Sequence, residues 1–233
     1  MVDRIEAAFA SANLPSAVGM IVDRGGVRFS QALGVTDVDS QTPVAEDTPF
    51  QIASMTKALA SVAAMQQVEA GRLALDAPIG AVLPELADPQ VLTGFDGQGQ
   101  PVTRPAARPI TLRHLVTHTA GYGYFFIHPE LLQYFAAVGM PVPGSIAGIR
   151  TPLLFDPGDR WEYSVAIDWA GLAVEAVTGG TLGDYMAEHV FAPLGMTGTG
   201  FHDALPADGV YITSLRQQDQ SVTIQGVAQS NER

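Results

Sequence analysis

Cysteine is absent from these 233 residues. That removes a disulfide framework, a thiol nucleophile and any thiolate metal site together. Lysine is nearly absent: of twelve lysine and arginine residues, Lys57 is the single lysine. Against 24 acidic residues the basic ones leave a net charge of −12 with no basic stripe, which argues against nucleic acid as a partner. No apolar run approaches the roughly eighteen residues that a membrane span needs. The start, Met1-Val2-Asp3-Arg4-Ile5-Glu6, lacks a basic region followed by an apolar core. The expectation is therefore a cytoplasmic protein with no membrane partner. There is also no G-x-S-x-G elbow, so a serine enzyme of the α/β-hydrolase type is not supported. Internal repeats are missing as well.

What is present describes a folded chain. Hydrophobic residues make up 47%, with 24 glycines and 16 prolines punctuating them. Residues 2–12 read as an amphipathic helix with Ile5, Ala8, Phe9 and Ala12 on one face. Residues 16–22 and 27–34 read as strands of a hairpin turning at Asp23-Arg24-Gly25-Gly26, and 37–48 as polar connection. A helix over 54–70 stops at Gly71, and Asp76-Ala77-Pro78 opens a short one. Residues 87–109, rich in Gly, Pro and Gln, read as an excursion loop, and 139–152 as another. Helices are expected over 111–117, 130–138, 165–178 and 181–190, with weak strands at 210–215 and 221–226. The expected class is α/β (α+β). Its parts are an α/β segment over 1–80, a helical region over 81–200 and an atypical tail over 201–233.

The chemistry centres on Phe50-Gln51-Ile52-Ala53-Ser54-Met55-Thr56-Lys57. Residues three apart share a helix face, which brings the lone ammonium to the Ser54 hydroxyl. A hydroxyl becomes a nucleophile when a neighbour takes its proton, and a desolvated amine can do so. A solvated surface lysine fits poorly among Ile52, Ala53, Met55, Ala58, Leu59 and Ala60. Tyr163 follows a tight turn at residues 156–159 and precedes a helix. Beside Lys57 its phenolate would be favoured and could carry a proton from Ser54 to a leaving group; a core tyrosine with a satisfied hydroxyl is the competing reading. His114 and His118 are four apart, yet no glutamate follows the first and no third ligand is evident. Capping or loop anchoring fits them better than a metal, and no cofactor is implied. Tyr122, Tyr124, Phe125 and Phe126 suit either the wall of an apolar pocket or packing under a loop.

Four ordered blocks resemble the serine β-lactamase and penicillin-binding-protein superfamily, in its class C-like branch and nearest to family VIII carboxylesterases. They are residues 50–57, Ile110 to Gly121 (with Leu115-Val116-Thr117-His118-Thr119-Ala120-Gly121), Pro157-Gly158-Asp159-Arg160-Trp161-Glu162-Tyr163-Ser164, and Pro193-Leu194-Gly195-Met196. The resemblance implies a β-lactamase-like fold, an antiparallel sheet with flanking helices plus a helical region. It implies Ser54 as nucleophile, Lys57 as its partner and Tyr163 as the second-motif base. It also puts the loop after residue 121 at the border of the site, which supports Tyr124, Phe125 and Phe126 as its wall.

Two departures carry consequences. Class C β-lactamases have Tyr-x-Asn at the second motif, and here the third position is Val165. Without that amide, small esters are favoured over β-lactams, which makes Val165 a substrate-binding position. Family members also run on to further sheet strands and a third motif, Lys-Thr-Gly or an equivalent. No such triplet occurs here, and the tail is glutamine-rich at Gln217, Gln218, Gln220, Gln225 and Gln229. The C-terminal sheet strands are therefore expected to be missing or replaced, and a homodimer could supply them in trans. The resulting expectation is a carboxylesterase acting on a small-molecule ester through an acyl-enzyme on Ser54. A β-lactamase, a D-amino-acid peptidase and a non-catalytic binding module stay open as alternatives.

Overall fold

The computed structural model describes residues 2–11, 14–36, 41–142, 145–201, 211–216 and 222–227. They fall into two compact units, Met1–Ala53 with Gly198–Arg233, and Ser54–Thr197.

The first unit opens with α1 (Val2–Ser11) and an antiparallel hairpin of β1 (Ser16–Asp23) and β2 (Gly26–Gly34). The hairpin turn closes as its sequence foretold. The Asp23 carboxylate accepts the Gly25 N–H at 2.6 Å and the Arg28 Nε at 2.8 Å. α1 lies on the hairpin through Phe9, whose ring occupies the space where a side chain at Gly19 would stand. Ala12, expected on the Phe9 face, lies outside the described residues, as do residues 37–40. The connection read as polar is not wholly so. Pro43 bridges Val35, and Val44 is buried against Val18, Ala32, Val35 and Phe50. Strands β5 (Tyr211–Arg216) and β6 (Val222–Val227) pair antiparallel with each other, each displaced by one residue from its sequence reading. Val210, Ser221 and the other residues of 202–233 outside these two strands lie outside the described set.

The second unit is mainly helical. In chain order it holds α2 (Thr56–Glu69), the strands β3 (Gln90–Phe95) and β4 (Pro101–Pro105), and the helices α3 (Leu112–Val116), α4 (Pro129–Val138), α5 (Ile146–Ile149), α6 (Ala166–Thr178) and α7 (Leu182–Met186). A single π-helical turn, Ala187–Phe191, prolongs α7. Two loop readings are corrected here. Residues 87–109 contain the β3–β4 hairpin, and 139–152 contain α5. In the hairpin Gly94 sits at a register shift and two prolines, Pro101 and Pro105, break the alternation, so the strand pattern is hidden. Tertiary pairing supplies what propensity does not: Leu153 donates to the Gln90 carbonyl and Leu92 to the Leu153 carbonyl, both at 2.8 Å. Among the described residues the strands thus form three separate antiparallel pairs, a mixed α/β arrangement with small sheets. No helix among them is long and apolar enough to cross a membrane.

The core of this unit forms where α2 meets α6. Ala63 and Ala64 on α2, and Ala166, Ala170 and Ala173 on α6, are all fully buried. Side chains this small let two helices approach closely, while Trp169, Leu112, Leu115 and Ile110 fill the flanks. The contact fixes α2, which carries Lys57, against the helix that begins just after Tyr163. Ala64→Leu should overpack it, at a cost of about 1–3 kcal/mol. The measurement is a lowered urea midpoint at unchanged m-value.

Candidate active site

Ser54 lies in a 3-10 turn, Ala53–Met55, that leads into α2. With three residues per turn, side chains three apart are nearly eclipsed. Lys57 accordingly points its ammonium at Ser54, with Nζ 3.2 Å from Oγ. The turn is a strained one, because Ala53 has φ +42°, a left-handed conformation that costs an L-residue about 1–2 kcal/mol. Ser54 is exposed and Lys57 half-buried.

Tyr163 is placed from the other side by a stapled turn. Asp159 donates to the Asp156 carbonyl at 3.1 Å, and Gly158 takes φ +90°. The Asp156 carboxylate is gripped by both terminal nitrogens of Arg104 on β4, at 2.9 and 2.7 Å, and by the Ala107 N–H at 2.7 Å. Those bonds, Arg104 first, hold its pKa down to about 2. Arg108 reaches the Pro157 carbonyl and Asp159, each at 2.6 Å. The chain from His118 to Gly121 then runs beside this turn. Gly158 donates to the Thr119 carbonyl at 2.7 Å, and Glu162 to the His118 carbonyl at 2.8 Å.

These supports bring the three expected catalytic residues together. The Lys57 Nζ stands 5.1 Å from the Tyr163 ring centre and 5.7 Å from that of Tyr124, and the two rings are 5.6 Å apart. A hydrogen bond with Ser54 and the neighbouring ammonium lower the Tyr163 pKa from the usual phenol value. The Asp168 carboxylate on α6 opposes this weakly. Burial pulls the Lys57 pKa down, but hydrogen bonds to Tyr124 and Tyr163 outweigh it and the pKa ends above the ordinary lysine value. Tyr124 goes the other way from Tyr163: its burial outweighs the lysine, and its phenol stays protonated to higher pH than usual. The amine therefore stays charged at neutral pH. Of the two, the Tyr163 phenol with its lowered pKa is the one better suited to accept a proton from the Ser54 hydroxyl, and the charged Lys57 donates to Oγ.

The remaining expected residues spread around this centre. Phe126 is 69% exposed and stacks on Tyr124 at 4.8 Å. Phe125 meets Phe126 edge-on and turns toward Phe135 of α4 at 5.9 Å. Val165 is buried at the start of α6, and Tyr122 packs inside against Trp169. His114 closes α3: Thr111 accepts its N–H at 3.2 Å, while its Nδ1 accepts the Thr111 N–H at 3.3 Å. It fills the place that glutamate takes in an ordinary capping box. Among the described residues, no three His, Asp or Glu side chains form a group that could hold a metal.

Sequence reasoning gave no role to Trp161, which is 63% exposed and stacks along Tyr163 at 6.5 Å. The signal was available in its spacing, since residues two apart in extended chain share a face.

Comparison with known proteins adds a lineage. The sequence model of the Beta-lactamase family matches residues 2–231. The ML-236A carboxylate methylbutanoyltransferase of Penicillium citrinum is 38% identical over 86% of this chain and 51% of its own. The lovastatin esterase of Penicillium rubens is 38% identical over 87% of this chain and 53% of its own. Among solved structures, the unliganded simvastatin synthase of Aspergillus terreus superposes with a TM-score of 0.82 at 33% identity, over 97% of this chain and 62% of that one. The chain thus spans about half the length of these curated relatives.

Proposed function

The chain belongs to the Beta-lactamase family, and from that premise we propose that it is a serine enzyme that cleaves small carboxylic esters through an acyl-enzyme on Ser54. The observation that carries this reading is the Ser54–Lys57–Tyr163 cluster, with a 3.2 Å bond between amine and hydroxyl and a phenol whose pKa is lowered. In the proposed first step the Tyr163 phenolate takes the Ser54 proton as Oγ attacks the ester carbonyl. The C–O bond to the alcohol then breaks, and the phenol returns the proton to the leaving oxygen. Water, activated by the same phenolate, then attacks the acyl carbonyl and releases the acid and the free serine.

Ester substrates are favoured over β-lactams because Val165 offers no side-chain donor to a ring-borne amide. Phe126 and Tyr124 offer an apolar surface beside the nucleophile. The chain should turn over p-nitrophenyl butyrate and leave a chromogenic cephalosporin essentially intact. A kcat/KM for the cephalosporin equal to or above that for the butyrate would reverse the assignment.

A second reading is transfer of the acyl group to an alcohol other than water. It is supported by the name of the Penicillium citrinum relative, a methylbutanoyltransferase, and by the esterase beside it at the same identity. Both readings share the acyl-enzyme and part only at its discharge. Product analysis with an added alcohol separates them: a new ester favours transfer, and free acid alone favours hydrolysis.

A further inference from the structure

His118 touches the segment bearing Tyr163 at three points. Its carbonyl accepts the Glu162 N–H at 2.8 Å. Its Nδ1 accepts the Ser164 N–H at 3.3 Å and lies 3.4 Å from the Ser164 hydroxyl. Its ring tilts against the Tyr163 ring with centres 4.9 Å apart. The residues on either side of Tyr163 are thus both bonded to one histidine, and the phenol lies on its imidazole. His118 adopts φ +57° to do this, an uncommon backbone conformation for a residue other than glycine. Ser164 is buried, and its hydroxyl also accepts the Ala166 N–H at 3.3 Å, which ties the arrangement to the start of α6.

We propose that His118 is the positioning residue for Tyr163, a neutral imidazole whose bare Nδ1 and carbonyl clamp the chain on both sides of the catalytic phenol. A backbone N–H can only donate, so Nδ1 must be unprotonated and the ring proton sits on Nε2. Protonation of Nδ1 would set a donor against the Ser164 N–H and a second cation near Lys57. The surroundings oppose that change. Burial first, and the Lys57 charge second, lower the His118 pKa. The groups around the ring are Lys57 from α2, Tyr163, Trp161 and Ser164; Glu162, the nearest carboxylate in sequence, pairs instead with His128 at 3.0 Å. The sign follows: the clamp is intact at neutral pH and opens as pH falls through a value below that of an ordinary histidine.

The kinetic consequence rests on the acyl-transfer reading; the positional one does not. Two variants test it. His118→Gly keeps the left-handed backbone and removes the acceptor and ring. His118→Asn keeps the backbone and offers Oδ1 where Nδ1 stood, without a proton to gain. His118→Gly should lower kcat by about 10²-fold, the scale of a misplaced catalytic group, with KM little changed. His118→Asn should recover most of that loss. In the wild type, the slope of log kcat/KM against pH should steepen from one toward two below the His118 pKa. In His118→Asn it should stay at one. In parallel, 13Cζ-tyrosine NMR, with Tyr163→Phe as assignment, should show the Tyr163 pKa rising in His118→Gly as the phenol drifts from Lys57. That reading is available even if no ester is turned over, which would count against the acyl-transfer proposal alone. An unmoved Tyr163 titration with unchanged kcat in His118→Gly would overturn the clamp. So would a steepened slope that persists in His118→Asn, the deciding observation if the glycine variant does not fold.

Discussion

Ser54→Ala is expected to bring ester turnover down to the uncatalysed background, a loss on the order of 10⁶ in kcat if the site behaves like other nucleophile–base units. The side chain removed carries the hydroxyl that accepts from the Lys57 ammonium at 3.2 Å. Nothing at position 54 could then form the acyl bond, while the fold has little reason to change, because Ser54 is exposed. The intact mass of the wild type after treatment with a fluorophosphonate should rise by one adduct that maps to Ser54, and the alanine variant should stay unlabelled. A variant that kept its full ester rate would remove the mechanism altogether. Adduct formation on another serine would relocate the site.

The second large effect is expected at Tyr163, the proposed proton acceptor. Tyr163→Phe should lower kcat severely, on the order of 10³–10⁴-fold, because it removes a general base and leaves the nucleophile to bulk water. Lys57→Ala should approach the same loss by a different route. Its ammonium is one cause of the lowered Tyr163 pKa. Without it the phenolate forms only at higher pH. The expected sign follows: activity in the wild type should rise with pH toward a tyrosine pKa below its ordinary value, and Lys57→Ala should move that rise to higher pH. The double variant with Ser54→Ala should be no worse than Ser54→Ala alone, since the residues act as a unit. A pH–rate profile of Lys57→Ala that overlies the wild type would show that the ammonium does not tune the phenol. The amine itself, having a raised pKa, should lose its proton only in strong alkali, where activity should fall again.

Much of this site could be read from local pattern. The three-residue spacing of Ser54 and Lys57, the Thr111 cap, the 156–159 turn and the Gly179 stop at φ +77° are all signals contained within a few residues. Physical interactions of short range leave such marks in the sequence. The β3–β4 hairpin left none, because its strands are defined by partners far away: Leu153 pairs with it from some sixty residues on. The short α5 was hidden for a related reason, being four residues held by tertiary contact such as the Trp169 indole on the Ile149 carbonyl at 3.3 Å. The proton-accepting role proposed for Tyr163 was legible only in part. The approach of Lys57 to Ser54 follows from spacing, whereas the balance that keeps the amine charged depends on two tyrosines brought in from residues 124 and 163. Likewise His118 could be judged a loop anchor from sequence, but not which loop it anchors.

The left-handed alanine that precedes Ser54 bears on any attempt to re-tailor this protein. Position 53 pays a conformational toll that aims the hydroxyl, so it is a poor choice for randomisation, however near the reacting atom it sits. Branched side chains there would drag the turn toward extended geometry, and glycine would let it wander. Mutant collections built to shift substrate scope would do better to leave that residue alone and vary the exposed rings of Phe126 and Trp161, whose backbone is held by the rest of the structure.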